Sequence, residues 1–277
     1  MELLTAPRLR RAAATAVHRT AVLAVVAFFL LPFYIMVTNA LKREVDINAY
    51  PPVFLFAPTL DHFAEVFRRY PFLAYTWNSA VVSGAATGLG FLVGVPAAYA
   101  IARYALRGVM TTILVVRMIP YVSLLIPWYL MAQRTGTVDT YGPVVLSHLV
   151  FTIPYAAMIL VGFFEDVPRA LEEAAWIDGC SRVGAFWRIA LPLTVPGIVA
   201  AAVVAFTYSW NNFLFALVLT GARTKTLPIA VYGFMSSDHM DWGGLSAAAT
   251  LITGPVLLFV FFVQRYLIRG LMAGAIK

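Results

Sequence analysis

Residues 173–179 read Glu173-Ala174-Ala175-Trp176-Ile177-Asp178-Gly179, and after nine more residues the chain continues Ile189-Ala190-Leu191-Pro192. No other charged, helix-prone island of this length lies between apolar runs long enough to cross a bilayer. Pro168 opens the island, and Glu172 and Glu173 sit early, where the helix dipole favours carboxylates. Gly179 can stop the helix by taking the left-handed backbone. An amphipathic turn with Val183, Phe186, Trp187 and Ile189 follows, and Leu191-Pro192 leads into the next apolar run. The pattern predicts two short helices joined at a glycine, a rigid elbow. Ala174 and Ala175 are expected on its surface, where another protein can approach closely. Glu172 and Glu173 are expected to bind that protein's arginines.

On either side the chain is built for lipid. Of its 277 residues 61% are hydrophobic and 12% charged, against about 25% charged in soluble domains; the mean hydropathy is +0.83. Six stretches reach the roughly 20 residues a span needs: about 18–40, 77–102, 109–132, 141–164, 193–219 and 245–267. The fold class expected is all-α, a polytopic membrane protein of six transmembrane helices in a single domain. The run from Ala21 to Val37 exceeds a typical signal-peptide core of about 7–15 residues and is read as a retained helix.

Placing the N-terminus inside puts Arg8, Arg10, Arg11, Arg19, Arg103, Arg107, Arg169, Arg182, Arg188, Arg265, Arg269 and Lys277 on the inner side. Lys42, Arg43, Arg68, Arg69, Arg134, Arg223 and Lys225 fall outside. The bias supports cytoplasmic segments at 1–17, 165–192 and 268–277, and it accounts for the +7 net charge without nucleic acid. The lone Cys180 excludes an internal disulfide, and His18, His62, His148 and His239 lack metal-ligand spacing.

Within the spans, Gly84/Gly88 and Gly90/Gly94 form two overlapping small-residue repeats suited to close helix packing. Pro96, Pro120, Pro127 and Pro154 suggest kinks. Arg117 is the one charged residue well inside an apolar run, and two readings stay open for it: snorkelling to the inner surface or a place on a transport path. His148 reads as a helix–helix hydrogen bond. In span five, Tyr208, Trp210, Asn211 and Asn212 offer aromatic faces beside amides, the combination a neutral sugar needs; Tyr121, Ser123 and Trp128 are weaker candidates on span three. Outside, Leu60, Phe63, Phe67 and Tyr70 form a short helical stripe, and 221–244 is a loop with Lys225, Asp238, His239 and Asp241.

The spacing Glu-Ala-Ala, three residues, Gly, nine residues, Ile-x-Leu-Pro resembles the signature of inner-membrane permease subunits of binding-protein-dependent ABC importers, and the likeness extends over nearly the whole chain. Within that family the chain is most similar to carbohydrate permeases of the maltose-type second permease group. The supporting stretches are Pro58-Thr59-Leu60-Asp61-His62-Phe63, Trp77-Asn78-Ser79, Ala97-Ala98-Tyr99-Ala100, Ile126-Pro127, Asp139-Thr140-Tyr141 and the tail from Gln264 to Lys277. The resemblance implies a coupling helix in the loop between spans four and five, with Glu172, Glu173, Ala174, Ala175, Asp178, Gly179, Leu191 and Pro192 at an ATPase. It implies a second, different permease subunit, two ATPase subunits that bind ATP and Mg, and an external binding protein that delivers the solute. It also implies that the tail from Gly270 to Lys277 reaches toward the ATPases.

The chain itself has no G-x-x-x-x-G-K-[ST] motif and no credibly spaced catalytic constellation. It is read as a non-enzyme without a cofactor of its own. Glycerol phosphate or a polyol stays open as the solute. An ion-coupled secondary transporter using Arg117 and His148 is a further alternative, opposed by the scarcity of acids in the spans. A purely structural membrane subunit is the third.

Overall fold

The computed structural model describes residues 6–235 and 240–275, with side chains described for 14–235, 240–261 and Gln264. Among these, the only β pairing is an isolated bridge between Met235 and Met240. Among the described residues five helices are long and apolar enough to span a bilayer, and a bent pair gives a sixth when taken as one span. The chain divides into two compact units, 1–69 with 234–251 and 70–233 with 252–277.

The first unit holds α1 (Ala6–Leu41), α2 (Glu44–Ile47), α3 (Asp61–Arg69) and the start of α13 (Trp242–Ala275). Along α1 the large apolar side chains from Val22 to Val37 are exposed, a face that only lipid or protein can cover favourably. The stripe expected on α3 is turned: Val66 is fully buried while Leu60 and Phe67 are exposed. Glu44, His62 and Asp241 bring ligand-type atoms within 4.8 Å of one another. Their bonding is directed to the chain itself. His62 Nε2 pairs with the Lys42 carbonyl at 2.8 Å, and Asp241 accepts from the Gly244 amide at 2.7 Å.

The second unit is built on α4 (Phe72–Tyr104), α7 (Tyr141–Asp166) and α10 (Leu191–Trp210). Of the two glycine repeats, one holds helices together. A Cβ on Gly90 would collide with Thr152, and one on Gly94 would lie 2.6 Å from Ala156 Cβ, whereas Gly84 and Gly88 face open space. Close approach lets Thr152 donate to the Ala86 carbonyl at 3.1 Å, and Phe91, Val95, Ala98, Leu160, Phe164 and Ala205 close the core around it.

Two expected spans are broken. Span three is α5 (Arg107–Arg117) and α6 (Val122–Arg134), bent by 89°. Pro120 has no amide hydrogen to continue the ladder, and its carbonyl instead receives the Ser123 amide and hydroxyl at 3.0 and 2.6 Å. Pro127 stays inside α6. Span five ends at Trp210, and the chain restarts as α11 (Leu214–Leu219) and α12 (Leu227–Tyr232). The expected continuous helix over 193–219 is therefore corrected. Asn211 Nδ2 donates to the Thr207 carbonyl at 2.8 Å, and the Asn212 side-chain oxygen accepts from the Phe215 amide at 3.2 Å. The amide pair satisfies backbone groups on both sides of the break.

Candidate functional site

The island that opened the sequence reading is α8 (Arg169–Ile177). Gly179 adopts φ +88°. With it, Gly179 N–H reaches the Trp176 carbonyl at 3.1 Å and Cys180 N–H the Ala175 carbonyl at 2.8 Å, the paired bonds of a Schellman stop. Ser181 then caps α9 (Arg182–Ala185) by accepting from the Gly184 amide at 3.1 Å. The elbow differs from expectation beyond this point. A π-helical turn, Phe186–Ala190, joins α9 to α10, so Arg182–Trp210 is one long span and not a second short helix. Pro192 donates no hydrogen bond, and the wider turn, in which Leu191 N–H reaches the Phe186 carbonyl, accommodates it.

Glu173, Ala174, Asp178 and Gly179 are exposed, Ala175 and Leu191 are half-buried, and Pro192 is exposed. Around them Leu171, Ile177, Val183 and Trp187 present apolar side chains to the outside, Ile177 at 87%. An acid beside apolar knobs and a sharp turn is a surface shaped for another protein.

Glu172 corrects the expectation set by its neighbour. It is 1% exposed and already occupied. Arg103 donates from Nε to one carboxylate oxygen at 2.7 Å, and its Nη2 lies 2.5 Å from the same oxygen as an ion pair. The Tyr99 hydroxyl donates to the other at 2.5 Å. No oxygen is left over for a partner's arginine.

The second candidate region is a cavity of about 650 Å³ against the break in span five, its lining including Tyr121, Phe151, Thr207, Tyr208, Asn211 and Asn212. Tyr121 stands edge-on to Phe151 with centroids 4.0 Å apart, and Tyr208 lies 4.9 Å from Phe151. Four predicted pathway residues are thus brought together: Tyr121, Tyr208, Asn211 and Asn212. Two are not. Trp210 is 3% exposed, stacks on Phe206 and donates from Nε1 to the Ile252 carbonyl at 3.3 Å; helix periodicity turns it away from its neighbour Asn211. Arg117 lies behind the wall, its guanidinium 4.2 Å over the Tyr155 ring and 2.9 Å from Met158 Sδ. It pairs with an aromatic face and is not part of the cavity lining. His148 bonds Ser209 at 2.7 Å, as a helix–helix contact does. Phe151 and Thr207 were missed, because neither an apolar ring nor a lone hydroxyl on a packed helix signals in sequence that it faces a cavity.

Asp139 is a further residue that sequence reading left without a role. Its backbone is left-handed, φ 60°, and its carboxylate accepts from Gly221, Arg223 and Thr224 amides and the Thr224 hydroxyl at 2.7–3.2 Å. Partial desolvation pushes this carboxyl up. The hydrogen bonds, Thr224 hydroxyl first, outweigh that and hold it well below the usual carboxylate range. It pins the 221–226 segment that leads from α11 into α12. Asp238 and His239 in the same loop lie outside the described residues, as do the side chains of the tail from Arg265 onward.

Residues 90–272 match the family described as binding-protein-dependent transport system inner membrane component. The chain belongs to that family. A probable ABC transporter permease protein of Sinorhizobium fredii is 40% identical over 91% of this chain and 92% of its own length. The sulfoquinovosyl glycerol transport system permease SmoH of Agrobacterium fabrum is 32% identical over 90% of this chain and 89% of its own length. In fold, the chain is similar to one from a bacterial ABC transporter that imports the acidic polysaccharide alginate, with TM-score 0.72 over 93% of this chain and 98% of that one, at 18% identity. The chain is an ABC-importer permease of the membrane.

Proposed function

We propose that this permease forms half of the pathway of an ATP-driven importer for a sugar or sugar-like solute, with a second, different permease as the other half. The observation that carries the solute class is the cavity: the rings of Tyr121, Phe151 and Tyr208 and the side chains of Asn211 and Asn212 line it together. Ring faces suit the apolar faces of a pyranose, and amides suit its hydroxyls. The relative that transports sulfoquinovosyl glycerol and the fold neighbour that imports alginate support the same class. Among the described residues the lining holds no cation and does not include Arg117, which favours a sugar over glycerol phosphate.

The α8 surface docks one of two ATPase subunits, Glu173 pairing with an arginine there and Ala174 and Ala175 allowing close approach. The loop 165–192, the segment 1–17 and the tail 268–277 face the cytoplasm in this reading, and an external binding protein delivers solute on the other side. ATP and Mg belong to the ATPases, and this chain catalyses no reaction. The complete transporter in proteoliposomes, loaded with ATP, should accumulate a labelled monosaccharide or disaccharide from a panel that includes glycerol phosphate and a polyol. Accumulation of glycerol phosphate alone would overturn the sugar reading. Uptake by the isolated chain on an ion gradient would overturn the ATP-driven one.

A further inference from the structure

A buried charge cluster ties α8 to the C-terminal end of α4. Glu172 and Arg103 have side chains 2% and 8% exposed. Their pairing is closed by the Tyr99 hydroxyl on the carboxylate and by the Val167 carbonyl, which accepts from Arg103 Nη2 at 3.1 Å. Arg169, at the start of α8, donates to the Arg103 carbonyl at 3.0 Å, one of the last carbonyls of α4 that has no partner within its own helix. So α8 grips α4 twice, through Glu172 on a side chain and through Arg169 on the backbone. The Tyr99 ring also packs 4.8 Å from Phe186 and 5.5 Å from Phe164, which holds the far side of the elbow to the same point.

We infer that Glu172, Arg103 and Tyr99 form a strut that makes α8 and α4 move as one body when an ATPase displaces α8. The inference rests on the docking role proposed above. A buried pair of this kind is a poor source of net stability, since desolvation offsets most of the Coulomb gain. Losing one partner, however, strands the other charge, so the pair resists separation steeply. That is the property a force-transmitting joint needs: two discrete states, bonded or broken, and no soft intermediate. Glu173, one position on, faces outward. Adjacent glutamates thus divide the work, one gripping the neighbour and one holding the bundle.

The test uses the complete transporter with Mg-ATP as the probe, after Cys180→Ala. Spin labels at Tyr104→Cys and Leu171→Cys, both exposed in the parent chain, report the α4–α8 distance with and without ATP. The parent is expected to give one narrow peak, identical in both states. In Glu172→Gln, complexes that retain the ATPase are expected to keep the narrow peak without ATP and to lose it when ATP closes the ATPases. Tyr99→Phe, which keeps shape and removes one bond, is expected to show a smaller ATP-dependent broadening and serves if the Glu172 variant fails to assemble. A purely structural role predicts distributions that ATP does not alter, and a single unmoved peak in both variants would overturn the strut. Glu173→Lys separates the two readings. ATPase retained after that reversal refutes the docking role, whereas ATPase lost, with unmoved peaks in the Glu172 and Tyr99 variants, refutes only the strut.

Discussion

Replacing Gly179 with valine isolates a backbone effect at the proposed docking surface. A Cβ at this position meets nothing within 4 Å, so the substitution adds no clash and acts through φ alone. At +88° an L residue pays roughly 1–2 kcal/mol, and valine's branched Cβ leaves few rotamers to relieve it. The alternative is to abandon the turn, which releases the Gly179–Trp176 and Cys180–Ala175 bonds at a net ~0.5–1.5 kcal/mol each. The two costs are comparable, so the expected penalty is about 1–2 kcal/mol, felt locally because the turn is exposed. If ATPase binding requires the turn, this weakens affinity roughly 5–30-fold. Titrating the ATPase onto the immobilised membrane complex in detergent gives Kd for Gly, Asn, Ala and Val at this position. Asparagine tolerates the left-handed region, so the expected order is Gly tightest, then Asn, Ala and Val. Equal weakening by Asn and Val would show that any side chain obstructs the surface, and the backbone reasoning would fall. Unchanged affinity in all four would remove Gly179 from the interface.

Three further outcomes are expected. Asp139→Asn should lower the thermal stability of the chain by the equivalent of about 1–2 kcal/mol, because an amide oxygen replaces a carboxylate facing four donors. With the folded-state carboxyl held below its ordinary value, the stability it contributes is present above the unfolded-state pKa and disappears as pH falls below about 4. The parent but not the Asn variant should therefore lose this increment on acidification, read by unfolding midpoints across pH. Trp210→Ala should cost about 3–5 kcal/mol of fold stability, while Asn211→Ala should leave assembly intact and reduce uptake of the identified sugar; altered specificity in the Trp210 variant with unaltered stability would reverse their roles. Gly90→Ala should destabilise by about 1–3 kcal/mol, because Thr152 occupies the space its Cβ needs, whereas Gly88→Ala should not. Equal heat aggregation midpoints in detergent for these two would contradict the packing described.

The spans were legible because about 20 consecutive apolar residues have few other uses. The break at Pro120 was half legible, since a missing amide hydrogen announces a disruption but not its 89° angle. The break after Trp210 was hidden. Asn211-Asn212 reads equally as polar groups inside a continuous helix or as caps on two half-helices, and only the position of Phe215 decides. Faces were harder still. Gly88 and Gly90 are two positions apart, roughly 200° round a helix of 3.6 residues per turn, so the same glycine spacing serves α7 on one face and open space on the other. Glu172 and Glu173 differ by about 100°. Which of them turns inward depends on where Arg103 ends up, 69 residues away in sequence, and no local pattern records that.

The strut and the cavity lie at different places on the bundle, and the packing between them is continuous. Arg103 and Tyr99 belong to α4, whose Gly90 and Gly94 seat Thr152 and Ala156 of α7 too closely for any side chain to intervene. Phe151, next to Thr152, stands in the cavity wall against Tyr121 and Tyr208. Contacts at this density do not deform continuously. A displacement of α4 is therefore expected to move the Phe151 ring, and Tyr121 and Tyr208, packed against it, must follow or separate. Both sit beside a break, Tyr121 after Pro120 and Tyr208 before Asn211, where the backbone has already given up its ladder. The packing is close along the route from α4 to Phe151, and the helices are broken where that route meets the cavity. If α8 docks the ATPase and the cavity binds solute, as proposed above, a push on the exposed turn is expected to reshape the cavity wall.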